Sequence, residues 1–316
     1  MALFLLAVPF ALLGLAVALW RRGGIMVGVN EHSEVVGIAR HTRRWRLVGL
    51  LVGGVAALCA LVIGERVDAL GRVTALAPTV LGAGVLLGTI AGELTARPPV
   101  GISRSAVVET RTVGAILPRA RAVVLAVSTV LLLGALAVGV VWGSTDDLGR
   151  LGRVLTRTCT VVEPDLGAVT MTSSRGPWPG SFYAVPLLGA LAVLAVLVVV
   201  ALRVIVARPR PALDSLGLDT QLRRWSAGNV LTAASVTVLG TLGPVSVFMA
   251  SALADGACPG GVVQTLVAWT AAVVGPLAVG AASGLLVGLV ATPSIRVDDL
   301  PRPLPGDAAP VGAPVR

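Results

Sequence analysis

Residues 183–206 read YAVPLLGALAVLAVLVVVALRVIV, and this stretch decides the fold. It holds one charged side chain, Arg203, close to its end. An apolar run of about 20 residues is what a helix needs to cross roughly 30 Å of hydrocarbon. Six more such runs stand at Met1–Trp20, Leu47–Gly64, Leu70–Gly92, Ala122–Trp142, Ala227–Leu253 and Val262–Val290. Together they predict an all-α polytopic membrane protein of about seven transmembrane helices. The last two runs are long enough to tilt, or to bend at Pro244 and Pro276. Composition agrees: 55% of the 316 residues are hydrophobic, 13% are charged, and the mean hydropathy is +0.91. A soluble domain of this length needs far more polar surface to cover its core.

All 25 basic residues are arginine. With Met1 outside and the spans alternating, 19 of the 25 fall on the inner side. Arg66, Arg72, Arg150, Arg153, Arg157 and Arg175 make up the outer set. The positive-inside rule therefore predicts an outer N-terminus and a cytoplasmic C-terminus. The net charge of +9 belongs to the inner face. It argues for anionic lipid as the partner of that face and against nucleic acid. Two segments, RHTRRWRLVGL (40–50) and QLRRWSAGNVL (221–231), repeat one triplet before a long apolar run. Arg43, Arg44, Trp45 and Arg223, Arg224, Trp225 are accordingly expected to be inner-interface anchors. The first run reads as a retained helix, because Arg21 and Arg22 follow it instead of preceding it as in a signal peptide. Residues 1–291 then form the bundle, and the Pro-rich segment 292–316 is expected to be a disordered cytoplasmic tail. In composition and general style the chain resembles multi-spanning membrane proteins of actinobacterial type, a resemblance that implies no activity. The expected location is the cell membrane.

Runs two to seven group into three hairpins: 47–92, 122–206 and 227–290. The second helix of each carries a proline followed by Gly-Ala: Pro78 with Gly82-Ala83, Pro186 with Gly189-Ala190, Pro276 with Gly280-Ala281. Repeated helical hairpins recur in transporter folds. Two of these helices also carry glycines four apart, Gly84, Gly88, Gly92 and Gly280, Gly284, Gly288. That spacing lines one face and admits another backbone closely, either within the bundle or between subunits.

Of the three cysteines, Cys59 lies inside a span and is expected to be a small buried residue. Cys159 and Cys258 both fall in outer loops, on the oxidising side, and are predicted to form a disulfide. The bond would tie the outer loop 143–182 to the mouth of the last two helices. Within that loop STDDLGRLGRVL (144–155) predicts a short helix capped by Ser144 or Thr145. TCTVV (158–162) and AVTMT (168–172), flanking EPDLG, predict a small hairpin.

Chemistry is sparse. There is no HExxH, GxSxG or phosphate-binding loop, and no ionisable group stands at the centre of a run. His32 beside Glu31 and Glu34 lacks a second ligand at metal spacing, and His41 sits among arginines. No catalytic residue, metal or cofactor is expected. Asn229, Thr232, Ser235, Thr237 and Thr241 make the sixth run the most polar. They line a path, or bond back to their own helix. SRSAVVETRTVGAIL (103–117), closed by Pro118, suggests a short surface helix, of the kind that docks a motor ATPase in some permeases. The leading expectation is a non-catalytic, permease-like or transport-accessory subunit, with a cytoplasmic ATPase or further copies as partners. The alternative is a seven-helix sensor or scaffold that uses the disulfide-tied outer loop.

Overall fold

The computed structural model describes residues 33–66, 70–96, 113–163, 167–208, 216–254, 258 and 260–291. The run Met1–Trp20, most of the 103–117 segment and the tail 292–316 lie outside the described residues. The elements are α1 (Ser33–Arg66), α2 (Arg72–Ala75), α3 (Ala77–Thr95), α4 (Val113–Ile116), α5 (Arg119–Trp142), β1 (Leu155–Glu163), β2 (Gly167–Arg175), α6 (Ser181–Ala207), α7 (Leu216–Ala254) and α8 (Val262–Ala291). Among them α1, α3, α5, α6, α7 and α8 are long and apolar enough to cross a membrane. α2 and α4 are single turns.

Several boundaries differ from the sequence pattern, for local reasons. The run 70–92 is not one helix. It breaks at Leu76, and α3 restarts with Pro78 in its first turn, where the missing N–H costs no intrahelical bond. α1 and α7 both begin well before the apolar runs, so the Arg-Arg-Trp triplets lie on helices and not ahead of them. These basic turns are held by packing: Ile38 and Ala39 of α1 meet Leu222 and Trp225 of α7. No helix forms over 144–155. Gly149 and Gly152 take positive φ of 76° and 72°, which an α-helix does not accept. The Asp146 carboxylate takes the N–H groups of Leu148 and Arg150 at 3.0 and 2.9 Å instead, a side-chain turn that competes with helix. Leu148 and Leu151 are exposed, while Leu155 opens β1 and is buried.

The bundle is organised around α7. Of its membrane-length segment 72% is buried, against 17% for α1. Consecutive long helices alternate in direction, so that α1 starts, α3 ends, α5 starts, α6 ends, α7 starts and α8 ends at one pole, here called the arginine pole. Leu132, Trp178, Leu187, Leu242 and Met249 fill the core toward the opposite, hairpin pole. Val85, Leu86, Ile205, Ala227 and Val230 fill it toward the arginine pole. The outward faces carry large apolar side chains, such as Leu51, Val55 and Leu58 on α1 and Val193 and Val196 on α6. A surface this apolar suits lipid as its solvent. Cys59 is on that outward face and exposed, not buried.

Glycines set the closest helix pairs. Gly84, Gly88 and Gly92 of α3 face α1. A methyl group on Gly88 would stand 2.5 Å from the Trp45 carbonyl oxygen and 2.8 Å from the Gly49 Cα. Gly84 meets Gly49 and Gly53 in the same way, and Gly92 meets Trp45 and Thr42. On α8 a close approach to α7 lies at Gly275. Gly275 meets Val247 and the Gly243 carbonyl of α7, and a Cβ on Gly288 would meet nothing within 4 Å. Gly243 and Gly275 each precede a helix-interior proline, Pro244 and Pro276. Both helices thus meet where a missing backbone donor has already loosened them.

Candidate functional site

Two polar constructions stand out, one at each pole. At the arginine pole, Glu93 of α3 accepts a hydrogen bond and ion pair from Arg208 Nη1 at 2.9 Å, through Oε2. Its other oxygen, Oε1, accepts from Ser226 Oγ of α7 at 2.8 Å. The side chains of Arg208 and Glu93 are only 2% and 1% exposed. Burying such a pair costs desolvation, which its mutual attraction and the Ser226 bond offset, and these contacts join α3, the end of α6 and α7. Arg223 completes the joint. It donates to the carbonyls of Ile205, Val206 and Arg208, at 2.7, 2.7 and 2.6 Å. These are the last carbonyls of α6, which the helix cannot satisfy internally and which carry its negative pole.

The same device recurs on α8. Arg46 Nη2 donates to Leu289 O at 3.3 Å and Arg43 Nη2 to Val290 O at 3.5 Å. The Arg46 guanidinium lies 5.1 Å from the Trp225 ring centroid. The expected anchors therefore divide by helical phase. Arg44 and Arg224 are exposed and Trp45 is partly so, whereas Arg223 is buried and occupied inside the protein. His41 is not a bystander among arginines: its Nε2 pairs with Thr95 Oγ1 of α3 at 2.9 Å.

Between the poles hydroxyls of α7 bond back to their own helix. Thr232, Ser235, Thr237 and Thr241 each donate to the carbonyl four residues back, at 2.8–3.0 Å. Asn229 is buried with its Nδ2 unpartnered among the described residues.

At the hairpin pole Cys159 and Cys258 are bonded, joining β1 to the α7–α8 connection. The hairpin is longer than the pattern suggests and regular, pairing Leu155 with Arg175 through to Glu163 with Gly167. Arg157 donates to the terminal carbonyls of α7, Ala252 O at 2.7 Å and Leu253 O at 3.0 Å, and to Cys258 O at 3.3 Å. Leu155 enters the core with Trp178, whose Nε1 donates to Gly139 O at 2.7 Å. Below the hairpin Asp146 collects Arg150 Nε and Arg153 Nη1 at 2.7 and 2.8 Å. Burial pushes the Asp146 carboxyl up, but the bonds from Arg153 and Arg150 outweigh it and hold the group well below the usual carboxylate range. Burial, disulfide and caps all use odd-numbered residues of β1. The even-numbered residues of both strands, from Thr156 to Val162 and from Ala168 to Ser174, are exposed.

Among the described residues no group of three or more His, Cys, Asp or Glu side chains is placed to hold a metal ion. Glu93, Ser226, Arg208, Arg46 and Arg157 were not singled out by sequence as a site. Glu93 carried the one available signal, a lone acid inside the apolar helix LLGTIAGELT (86–95).

The fold thus defines a mostly helical chain with six helices fit to cross a membrane and one disulfide-tied hairpin. No family model matches this chain, and neither a curated protein nor a solved structure is found similar to it.

Proposed function

We propose that this chain is a non-catalytic integral protein of the cell membrane, N-terminus outside, that acts as a scaffold or sensor. In this reading the bundle holds the 143–182 element at the outer face, where a partner reads it. The observation that carries the proposal is the fixed seating of the hairpin. It has a covalent tie to the α7–α8 connection and a three-carbonyl contact through Arg157, and it leaves a whole strand face exposed. A transport-accessory role is the second reading. It draws on the exposed arginines at the other pole, Arg40, Arg44, Arg119, Arg203 and Arg224, which suit anionic lipid or an acidic partner such as an ATPase. Against permeation by one bundle stand the α7 hydroxyls, turned back to their own helix.

Two measurements test the proposal. Thr158→Cys should react with a membrane-impermeant maleimide in intact cells, and Arg203→Cys only after permeabilisation. Purified protein in liposomes should pass no more solute than empty vesicles, with or without ATP and a copurified ATPase. Labelling of Thr158→Cys from the cytoplasm alone, or specific flux through the reconstituted protein, refutes it.

A further inference from the structure

The hairpin has a feature that its seating does not require. β2 runs from Gly167 to Arg175 with no proline and no break in register, and its one charge, Arg175, stands at its end. Edge strands ordinarily carry such guards, because an open row of N–H and C=O groups pairs with any strand offered to it. Among the described residues no backbone hydrogen bond reaches the outer edge of either strand. The composition, rich in Thr and Val, is that of a strand built to pair.

We infer that β2 pairs antiparallel with β2 of a second copy, joining two hairpins into one four-stranded sheet. Three observations select a second copy over a foreign strand. First, pairing centred on Met171 uses all nine residues and sets Thr170 opposite Thr172 of the other copy. With the hairpin register, each of the two central rows of the exposed face then reads Thr158, Thr172, Thr170, Thr160 across four strands. Second, the charges complement one another. Arg175 comes opposite Gly167 of the other copy, whose own hairpin partner is Glu163, so opposite charges share a row across a residue without a side chain. Third, the symmetry fits. The two-fold axis of two identical antiparallel strands is perpendicular to their sheet, and a two-fold between membrane subunits runs along the membrane normal. Arg157 and Cys159 hold the inner face of the hairpin against the end of α7 and the α7–α8 connection. The exposed face of the sheet then turns away from that end, so a two-fold perpendicular to the sheet is compatible with one along the membrane normal. The inference depends on the edge and register of the hairpin, not on whether the bundle scaffolds, senses or assists transport.

Crosslinking tests it. Two differently tagged copies, both Cys59→Ser, carry Thr170→Cys and Thr172→Cys respectively, and are coexpressed and oxidised. In the inferred register these positions face each other at about 4.5–5.5 Å, while two copies of the same variant stand about 7–8 Å apart, outside disulfide reach. The expected result is a disulfide-linked mixed dimer, no dimer from either variant alone, and none from the matching β1 pair Thr158→Cys with Thr160→Cys. Thr170→Lys/Thr172→Lys, on the exposed face, should turn dimers in lipid nanodiscs into monomers while mass spectrometry still finds the Cys159–Cys258 bond. A monomer in nanodiscs with no mixed crosslink overturns the inference. So does crosslinking through the β1 pair, or crosslinking of the β2 cysteines to a different protein.

Discussion

Replacing Glu93 by Gln tests whether the buried joint at the arginine pole holds the bundle together. The substitution keeps the size of the side chain and an oxygen for Ser226, but removes the charge that faces Arg208 at 2.9 Å. Both side chains are almost wholly buried, so solvent does not make good the loss. Breaking one side of such a pair costs about 3–5 kcal/mol, because a charge stays in a medium that solvates it poorly. That is a factor of roughly 10² or more in the ratio of folded to unfolded protein. Arg208→Gln should cost a similar amount. Glu93→Met/Arg208→Met removes both charges and should fall within about 2 kcal/mol of the parent, since a buried pair replaced by apolar groups is often neutral or better. Ser226 can then donate to its own helix, as Thr232 and Ser235 do. Reversible unfolding in bicelles at neutral pH, run on all four proteins, gives the coupling energy. The reasoning fails if Glu93→Gln costs less than about 1 kcal/mol, or if the double variant is no more stable than the weaker single one.

Other expectations follow from single contacts. Gly88→Leu should separate α1 from α3 and lower stability by about 1–3 kcal/mol or more through overpacking; Gly288→Leu, where a Cβ meets nothing within 4 Å, should cost under 1 kcal/mol in the same unfolding assay. Cys258→Ser opens a bond spanning 99 residues and should cost about 2–5 kcal/mol, with the hairpin then cut faster by protease added outside. Because the folded carboxyl of Asp146 is held low, its contribution is complete above the unfolded value of about 3.9 and is lost only as pH falls toward the folded one. Hydrogen exchange across 144–155 should thus stay slow in the parent from pH 7 to pH 4, and be fast throughout that range in Asp146→Asn.

How much was legible depended on whether a residue acts through its own segment or through a distant one. The run 183–206 announced its helix because length and apolarity are local. The hairpin was visible for the same reason, as β-rich segments around EPDLG. The cysteine pair could be read because topology leaves two sulfurs on one side. The turn at 144–155 was misread because an Asp after a Ser-Thr cap and an Asx-turn Asp look alike until the following glycines take positive φ. Arg223 and Arg43 looked like headgroup anchors because the carbonyls they reach belong to helices 15 or more residues, or a whole bundle, away. Glu93 was not read as part of a site because its partners Arg208 and Ser226 are more than a hundred residues distant.

The arginines explain more than orientation. Arg223 serves the end of α6, Arg43 and Arg46 the end of α8, and Arg157 the end of α7. Each helix end is closed by a side chain from another element, and a guanidinium suits this because its fork reaches two or three carbonyls at once. The consequence falls on α7. At one pole Ser226 and Arg223 bind it to α3 and α6, and at the other Arg157 and the disulfide bind it to the hairpin. A rocking motion that slid α7 past its neighbours would have to release the bond from Ser226 to the buried Glu93 carboxylate and the three carbonyl contacts of Arg223 at one pole, or the Arg157 contacts and the disulfide tie at the other. A scaffold needs no such release. This asymmetry in cost is why we propose fixed presentation of the hairpin over alternating access.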